Sequence, residues 1–190
     1  FENAFVWKCP SRLLLDHYNR HVSGNHLDVG VGTGYLLDKC RFPVHDPALA
    51  LMDLNPNSLR FTSARIRRYR STTYLADVLE PIKFELPPFD SIGLNYLLHC
   101  LPGSMVDKGR VFGNLKPFLN PAGVLFGTTI LGQGVEFNLL GRLFMALYNS
   151  RQILNNGDDN LADLEEALER NFAEYFVRRV GCVAFFVGQV

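Results

Sequence analysis

Long hydrophobic runs and metal-binding cysteine pairs are both missing from this sequence. No apolar run reaches the roughly 18 residues that a membrane-spanning helix needs, so we expect no contact with a membrane. The cysteines lie far apart, and no two have the spacing of metal ligands. They are Cys9, Cys40, Cys100 and Cys182. We therefore expect free thiols, a reducing, cytoplasmic location and no metal site.

A surplus of one charge is absent too, since 19 basic residues balance 19 acidic ones. The sequence offers neither a basic channel nor a stacking platform for bases, which argues against DNA or RNA as partner. Residues 64–70, ARIRRYR, form a basic cluster, which we interpret as the solvated face of a helix. A nucleic-acid patch is the alternative. We expect a small-molecule partner and a monomer or homodimer.

The length of 190 residues suits one domain, because a chain of this size buries enough surface for an ordinary core. Apolar residues make up 47% and charged residues 20%, which is typical of a globular protein. The chain begins at Phe1 rather than at methionine, so we expect an N-terminal segment to precede it in a longer protein.

Strand-like and helix-like stretches alternate along the chain, with Ser11 and Asn55 as expected helix caps. Strands are predicted over residues 26–30, 48–54, 72–78, 89–97 and 123–131, and helices over residues 11–22, 33–40, 56–69, 104–116, 135–153 and 161–172. Two further strands, 174–180 and 182–190, flank Gly181 as a tight hairpin. The pattern predicts an α/β, Rossmann-like, seven-stranded, mostly parallel sheet with helices on both faces and an antiparallel C-terminal hairpin.

A glycine loop follows the first predicted strand, in LDVGVGTGY over residues 27–35. Gly30, Gly32 and Gly34 lack Cβ atoms, so a ligand can approach the backbone closely. A dinucleotide fold wants G-x-G-x-x-G, but Tyr35 stands where its third glycine would fall. Asp28 would repel phosphate oxygens and attract a cation. The loop therefore favours a ligand without a pyrophosphate.

Two more acidic residues lie near predicted strand ends. Asp53 ends the second strand and can accept two hydrogen bonds from a ribose diol. Asp77 ends the third and can accept one from an adenine amine, while the backbone of Val78 addresses the ring. Asp28 and Asp53 could instead cap the helices that follow. Together these residues imply an adenosine that carries a positive group and no phosphate.

The ordered set LDVGVGTG, LMDLN, ADV and FDSIGLNYLLHCL, with the closing hairpin, resembles the class I S-adenosylmethionine-dependent methyltransferases. Within that family the chain looks most like small, stand-alone fungal and bacterial members acting on small molecules. The resemblance implies that S-adenosylmethionine is the cofactor and that S-adenosylhomocysteine is its product. The cofactor-binding residues that it implies are Trp7, Asp28, Gly30, Gly32, Gly34, Asp53, Leu54, Asn55, Asp77, Val78 and Asn95.

The resemblance also assigns roles to these residues. The glycines would line the methionine and ribose portions, and Asn95 would sit near the sulfonium. Leu54 and Asn55 would flank the adenine. Trp7 belongs to a segment that often closes over the cofactor in this family.

A base is needed only if the methyl acceptor carries a proton that must leave early. His99, just after the fourth predicted strand, is the candidate catalytic base, with a structural histidine as the alternative. Tyr96 would shape the substrate pocket or simply pack. His17 and His21 are expected at the surface of the first helix.

A helical insertion at about residues 134–156 follows the fifth predicted strand, where this family often covers its substrate. We expect its apolar stripe to form a substrate-binding wall, with ordinary core packing as the alternative. Glu136 and Arg142 would orient a polar substrate end or face solvent. The stripe comprises Phe137, Leu140, Phe144, Met145 and Tyr148.

The function expected from these observations is methyl transfer to an O, N or C atom of a small, hydrophobic or aromatic molecule, as in secondary metabolism. One alternative keeps the cofactor as a fixed charge for cyclisation or rearrangement. Another is a non-catalytic partner subunit on the same fold. A nicotinamide-dependent reductase is disfavoured by Tyr35.

Overall fold

The chain is described by a computed structural model over residues 2–190, with side chains from Ala4 onward. The strands are β1 (Asn25–Val29), β2 (Ala48–Asp53), β3 (Ser71–Leu75), β4 (Phe89–Asn95), β5 (Leu119–Ile130), β6 (Glu174–Val180) and β7 (Val183–Gln189). The helices are α1 (Glu2–Phe5), α2 (Ser11–His21), α3 (Tyr35–Lys39), α4 (Pro56–Arg65), α5 (Met105–Lys108), α6 (Arg110–Leu115), α7 (Leu139–Ser150) and α8 (Leu161–Glu169), with 3-10 turns at Leu98–Cys100 and Lys116–Phe118.

The strands form one seven-stranded sheet in the order β3-β2-β1-β4-β5-β7-β6. Strands β1 to β5 run parallel, while β7 is antiparallel to both β5 and β6. The predicted fold class and the closing hairpin are therefore confirmed. The strand order reverses between β1 and β4, and in open α/β sheets ligands bind beyond the carboxyl ends of the strands at this point.

Helices cover both faces of the sheet, so most residues of the central strands β1 and β4 are buried. On one face α2 and α4 bury Tyr18 and Ile66 in a cluster with Phe126. On the other, α6 packs Phe112 edge-on against Phe186, with ring centroids 5.7 Å apart. Fully burying side chains of this kind contributes about 1.5–3 kcal/mol each.

Several predicted boundaries shift for local reasons. The predicted helix over 104–116 is two helices that meet at Gly109, and Ser104 caps the first by exchanging hydrogen bonds with Asp107. The predicted helix over 135–153 begins only after Asn138, which caps α7. Ser11 is not a cap, because it already lies in α2 and the capping position is Pro10. Strand β3 ends before the predicted 78, so Asp77 lies in the loop that follows it.

The basic cluster joins two helices. Arg65, the last residue of α4, and Arg68, in the turn after it, reach Asp38 of α3, at 3.4 and 2.6 Å. The guanidinium of Arg68 is the main cause that lowers the pKa of Asp38 to about 2. Two residues of the basic cluster, Arg65 and Arg68, therefore form ion pairs within the protein. Within residues 2–190, no helix has both the length and the apolar character needed to cross a membrane.

Candidate functional site

Two adjoining cavities open at the carboxyl edge of the sheet, where the strand order reverses. The Asp28 cavity, about 340 Å³, lies between the glycine loop and the start of α2, and Asp28 is part of its lining. The Asp53 cavity, about 420 Å³, lies between the same loop and the ends of β2 and β3. Gly30, Gly32 and Tyr96 line both, so the cavities form one cleft on either side of the glycine loop.

The cleft brings together most of the predicted cofactor residues. Besides the shared glycines, Gly34 and Asn95 line the Asp28 cavity. The Asp53 cavity is lined by more of the predicted residues, together with six that were not predicted to bind a ligand. The predicted residues are Asp53, Leu54, Asn55, Asp77 and Val78, and the others include Ala76, Leu97, Cys100 and Leu101.

The glycine loop has a backbone that other residues rarely adopt, with φ of 70° at Gly30, 51° at Gly32 and 66° at Gly34. A Cβ at Gly30 would lie 2.6 Å from the Leu97 side chain, so that position must stay bare for packing. A Cβ at Gly32 would meet no atom within 4 Å and would occupy open space. Gly32 therefore leaves its backbone accessible to a ligand.

Asp53 lies at the end of β2, facing the glycine loop. Its Oδ1 accepts a hydrogen bond from the amide of Asn55 at 2.8 Å, which fixes the carboxylate. The amide of Gly32 lies 3.5 Å from Oδ2, a long contact that leaves this oxygen able to accept a stronger donor. The side chain of Asn55 caps α4 by accepting from the amide of Asn57. Asn55 can therefore meet a ligand mainly through its backbone.

Asp77 closes the far side of the Asp53 cavity. Its Oδ1 accepts a hydrogen bond from the amide of Leu79 at 3.0 Å, which stabilises the turn after β3. Val78 is buried beside it, while the side chain of Leu54 is exposed at the opposite rim. This half of the cleft combines two carboxylates with an apolar floor, which suits a nucleoside.

Asp28, on β1, is buried and holds its carboxylate in a polar surrounding. Its Oδ2 accepts a hydrogen bond from the hydroxyl of Tyr18 on α2. The same hydroxyl lies 2.9 Å from Nε2 of His26. Tyr18 and His26 are missing from the residues predicted above. The available signal is that His26 lies two positions before Asp28, on the same face of β1.

Asn95 and Tyr96 end β4 at the point where the two cavities meet. Oδ1 of Asn95 accepts from the hydroxyl of Thr128 at 3.3 Å. Tyr96 has a left-handed backbone, with φ of 59°, and its amide donates to the carbonyl of Thr128. A non-glycine residue in this conformation costs of order 1 kcal/mol or more, and such strain clusters at functional sites.

His99, the predicted base, lies behind this wall and is not among the residues lining either cavity. It is 4% exposed, and its Nδ1 accepts a hydrogen bond from the amide of Ile130 at 3.2 Å. Burial first, and the charge of Lys108 second, lower its pKa to about 3. This placement fits the structural alternative, and the catalytic role stays an untested prediction. His17 is not at the surface as expected, because it packs against Phe185.

The predicted substrate wall packs against the N-terminal segment rather than lining either cavity. Trp7 is buried, and its ring meets that of Phe137 edge-on, with centroids 6.3 Å apart. Phe144 and Tyr148 pack edge-on against each other and, like Met145, belong to the same apolar cluster as Trp7. The other stripe residue, Leu140, is 43% exposed, and Glu136 and Arg142 are exposed as well. Core packing therefore accounts for most of this stripe, and its contacts with substrate stay a prediction.

Comparison with known proteins gives a family and a set of relatives. A family described as a methyltransferase domain matches residues 27–125. Demethylluteothin O-methyltransferase of Streptomyces thioluteus is 42% identical over 181 residues, covering 95% of this chain and 79% of that protein. Methyltransferase verB of Penicillium polonicum is 42% identical over 202 residues, covering 98% of this chain and 88% of that protein.

A solved structure shares the fold. N-methyltransferase NodS from Bradyrhizobium japonicum WM9, in complex with S-adenosylhomocysteine, superposes with a TM-score of 0.63. The match covers 94% of this chain and 84% of that one at 17% identity. At this identity the likeness concerns the arrangement of the sheet and its helices.

Proposed function

This chain belongs to the class I S-adenosylmethionine-dependent methyltransferases, and from that membership we propose how its cleft binds the cofactor and what kind of molecule it methylates. It is an enzyme that transfers a methyl group from S-adenosylmethionine to small molecules. The residue roles and the acceptor class are the parts that we propose.

The observation that supports the binding mode is the charge of the cleft. Among the residues that the structure describes, the lining of the two cavities has three carboxylates and no lysine, arginine or histidine. The carboxylates are those of Asp28, Asp53 and Asp77. Such a lining repels the phosphates of a dinucleotide and attracts a ligand with a net positive charge. The sulfonium of S-adenosylmethionine supplies that net charge, because the ammonium and the carboxylate of its methionine portion balance each other.

The Asp53 cavity holds the adenosine. Oδ2 of Asp53 accepts from a ribose hydroxyl, and Asp77 and Val78 lie at the edge of the adenine. The Asp28 cavity holds the methionine portion, with the bare backbone of Gly32 between the two halves. When bound, the cofactor supplies a methyl group that its positive sulfur already activates.

The acceptor approaches past Asn95 and Tyr96, and the protein must hold it in line with the carbon–sulfur bond. No lining residue that the structure describes is a histidine or lysine, and the three aspartates are assigned to the cofactor, so the cleft leaves no further base for the acceptor. An acceptor that ionises unaided, such as an enol or phenol, fits this site. Leu14, Leu36 and Tyr35 make the adjoining wall apolar, which favours a ring-bearing, hydrophobic molecule.

The relatives include an N-methyltransferase, vrtF of Penicillium aethiopicum, but more of them are named for methyl transfer to oxygen. Besides the O-methyltransferase of Streptomyces thioluteus, the Physcion biosynthesis cluster O-methyltransferase of Aspergillus chevalieri is 37% identical over 186 residues. The proposal for this chain is O-methylation of an acidic hydroxyl. We also propose a monomer or homodimer that binds no nucleic acid. We further propose a cytoplasmic location, which agrees with the four free cysteines.

Titration calorimetry tests the binding mode. The folded protein should bind both S-adenosylmethionine and S-adenosylhomocysteine, and no heat with either would overturn the proposal. Mass spectrometry of the product then separates methyl transfer, a gain of one methyl group, from rearrangement without a change in mass. With a series of phenols of different acidity, the acidic limb of kcat/KM should follow the pKa of the acceptor. An acidic limb that stays fixed across the series would instead indicate a base on the enzyme.

A further inference from the structure

A row of buried polar side chains leads from the Asp28 cavity back along β1 and β4. The hydroxyl of Tyr18 donates to Asp28, and it lies 2.9 Å from Nε2 of His26. Nδ1 of His26 lies 2.8 Å from Oγ of Ser91, which also accepts from the amide of Ser23 at 2.9 Å. Tyr18, His26 and Ser91 are fully buried. We call Tyr18, His26 and Ser91 the buried relay.

The two hydrogen bonds of the buried relay nearest to Asp28 have a fixed direction. A carboxylate only accepts, so the single hydroxyl hydrogen of Tyr18 goes to Asp28. Nε2 of His26 must then donate to the Tyr18 oxygen, and its Nδ1 shares a hydrogen bond with the hydroxyl of Ser91. Burial, followed by the charge of Asp28, raises the pKa of Tyr18 well above its ordinary value, which keeps that proton in place. The donors of Tyr18 and His26 therefore both point toward Asp28.

This arrangement has a consequence for the carboxylate. Hydrogen bonds aligned head to tail strengthen one another, so the row stabilises the negative charge of Asp28. Because Oδ2 accepts from Tyr18, Oδ1 is left for a partner in the cavity. The side chain keeps 9% of its surface exposed, and Asp28 lines the cavity. Burying a carboxylate costs free energy unless a positive partner compensates its charge. We therefore expect a cationic group of a ligand to lie beside Asp28.

We propose that Tyr18, His26 and Ser91 are positioning residues that hold Asp28 for the α-ammonium group of the bound cofactor. This inference rests on the function proposed above. The ammonium fits better than the sulfonium because methyl transfer neutralises the sulfur. A carboxylate that stabilised the sulfonium would favour the ground state over the transition state and slow the reaction. The ammonium persists in both substrate and product.

Titration calorimetry with two ligands tests the role. S-adenosylhomocysteine has the ammonium, whereas 5′-methylthioadenosine keeps the adenosine and the sulfur but lacks the amino-acid portion. For Tyr18→Phe we expect about tenfold weaker binding of S-adenosylhomocysteine and unchanged binding of 5′-methylthioadenosine, as for loss of one hydrogen bond to a charged group. Equal weakening of both ligands would indicate general damage to the cleft and overturn the proposal. Unchanged binding of both would overturn it too.

Ser91→Ala keeps the inference testable if Tyr18→Phe folds poorly. Ser91 lines neither cavity. Ser91→Ala should weaken the binding of S-adenosylhomocysteine two- to threefold and leave the binding of 5′-methylthioadenosine unchanged. In an Asp28→Asn background, Tyr18→Phe should add no further loss, and a full additional tenfold loss would show that Tyr18 acts independently of Asp28. KM for S-adenosylmethionine should rise with kcat unchanged.

Tyr69→Phe is the matched control, because Tyr69 packs against Phe42 and lines neither cavity. It should leave the binding of both ligands unchanged. Wild-type protein that binds neither ligand would refute the proposed function itself, which separates the two failures.

Discussion

The backbone amide of Ile130 donates a hydrogen bond to Nδ1 of His99 across 3.2 Å. A ring nitrogen that accepts carries no proton, so the imidazole is neutral and is protonated at Nε2. The Oγ1 of Thr129 lies 3.3 Å from the same nitrogen. His99 thus joins the 3-10 turn after β4 to the end of β5, directly behind Tyr96, whose ring centroid is 5.3 Å away.

This neutral, buried ring predicts a pH dependence of stability. Burial lowers the pKa of His99 to about 3, and burial followed by His21 lowers that of His17 to about 3 as well. Between pH 6.5 and 3 the unfolded chain binds these protons and the folded chain does not, so stability falls as pH falls through this window. Each histidine accounts for about 1.4 kcal/mol per pH unit there.

Urea unfolding at pH 7, 5.5 and 4.5 measures the effect. In the wild type, the free energy of unfolding falls as the pH is lowered. We expect this slope to be smaller in His99→Gln, by the contribution of about one bound proton. His45→Gln, at an exposed histidine, should leave the slope as it is in the wild type. Parallel curves for wild type and His99→Gln would contradict the assigned protonation state.

The activity of His99→Gln gives a second prediction. If the acceptor ionises unaided, this variant retains the acidic limb of the kcat/KM profile, because that limb belongs to the acceptor. Any fall in rate should be similar at all pH values and reflect displacement of Tyr96. Loss of the acidic limb in the variant would restore His99 as the general base.

The sequence was informative where local pattern decides structure. The residue pattern of a buried strand, and the glycines that a tight loop requires, are visible within one short segment of the sequence. Gly32 and Asp53 could therefore be assigned to the site from the sequence alone. The missed contacts join different elements, as Tyr18 of α2 and Asp28 of β1 do, or segments far apart in the chain, as His26 and Ser91 do. The burial of His99 could not be predicted, because the sequence HCL over residues 99–101 is compatible with an exposed turn and equally with a buried one.

The late start of α7 has a similar cause. Residues 131–138 precede it without helix, and a Cβ at Gly132 would lie 1.8 Å from the carbonyl oxygen of Asn156. The loops before and after α7 pack backbone against backbone at this point. We attribute the non-helical conformation of the residues before Asn138 to this contact. Helical spacing in the sequence has no information about such a contact.

Gly32 provides a third prediction. Gly32→Ala should cost about 1–2 kcal/mol of stability from the positive φ and, in addition, weaken cofactor binding at least tenfold, since the new methyl group occupies the cleft. Gly134→Ala is a matched control, because Gly134 also has a positive φ, 71°, and no atom within 4 Å of a new Cβ. Gly134 lies outside both cavities.

Thermal unfolding and titration calorimetry on both variants separate the two effects. Both should lose similar stability, and only Gly32→Ala should lose affinity. If both retain full affinity, the backbone of Gly32 does not contact the ligand.

Asp53 provides a fourth prediction. Asp53→Asn keeps the size of the side chain but replaces a charged acceptor with an amide, which also donates. Binding of S-adenosylhomocysteine should weaken by about 10- to 100-fold, the range for a hydrogen bond to a charged group. Asp46→Asn, at an exposed aspartate, should bind as the wild type does. Equal affinities for all three proteins would exclude Asp53 from ribose binding.

The buried pair of Lys108 and Asp159 yields the last prediction. Nζ of Lys108 lies 2.8 and 2.6 Å from the two carboxylate oxygens and 2.7 Å from the carbonyl of Asn155. The carbonyl of Asp159 in turn accepts from the amides of Gly132 and Gln133. The pair thus ties α5 to both loops that flank α7. Neither side chain is more than 1% exposed, so water cannot replace a lost partner.

Lys108→Met should therefore cost about 3–5 kcal/mol, because it leaves a buried carboxylate without its cation. Lys108→Met with Asp159→Leu should recover much of that loss, since an apolar pair needs no compensation. Burial already raises the pKa of Asp159 against the opposing effect of Lys108, so the single variant should be least impaired at low pH, where the carboxyl is neutral. Arg170→Met is the control, because its partner Glu166 is exposed and such pairs contribute about 0–1 kcal/mol. A double variant as unstable as Lys108→Met alone would mean that the loops depend on the hydrogen bonds of this pair rather than on the balance of its charges.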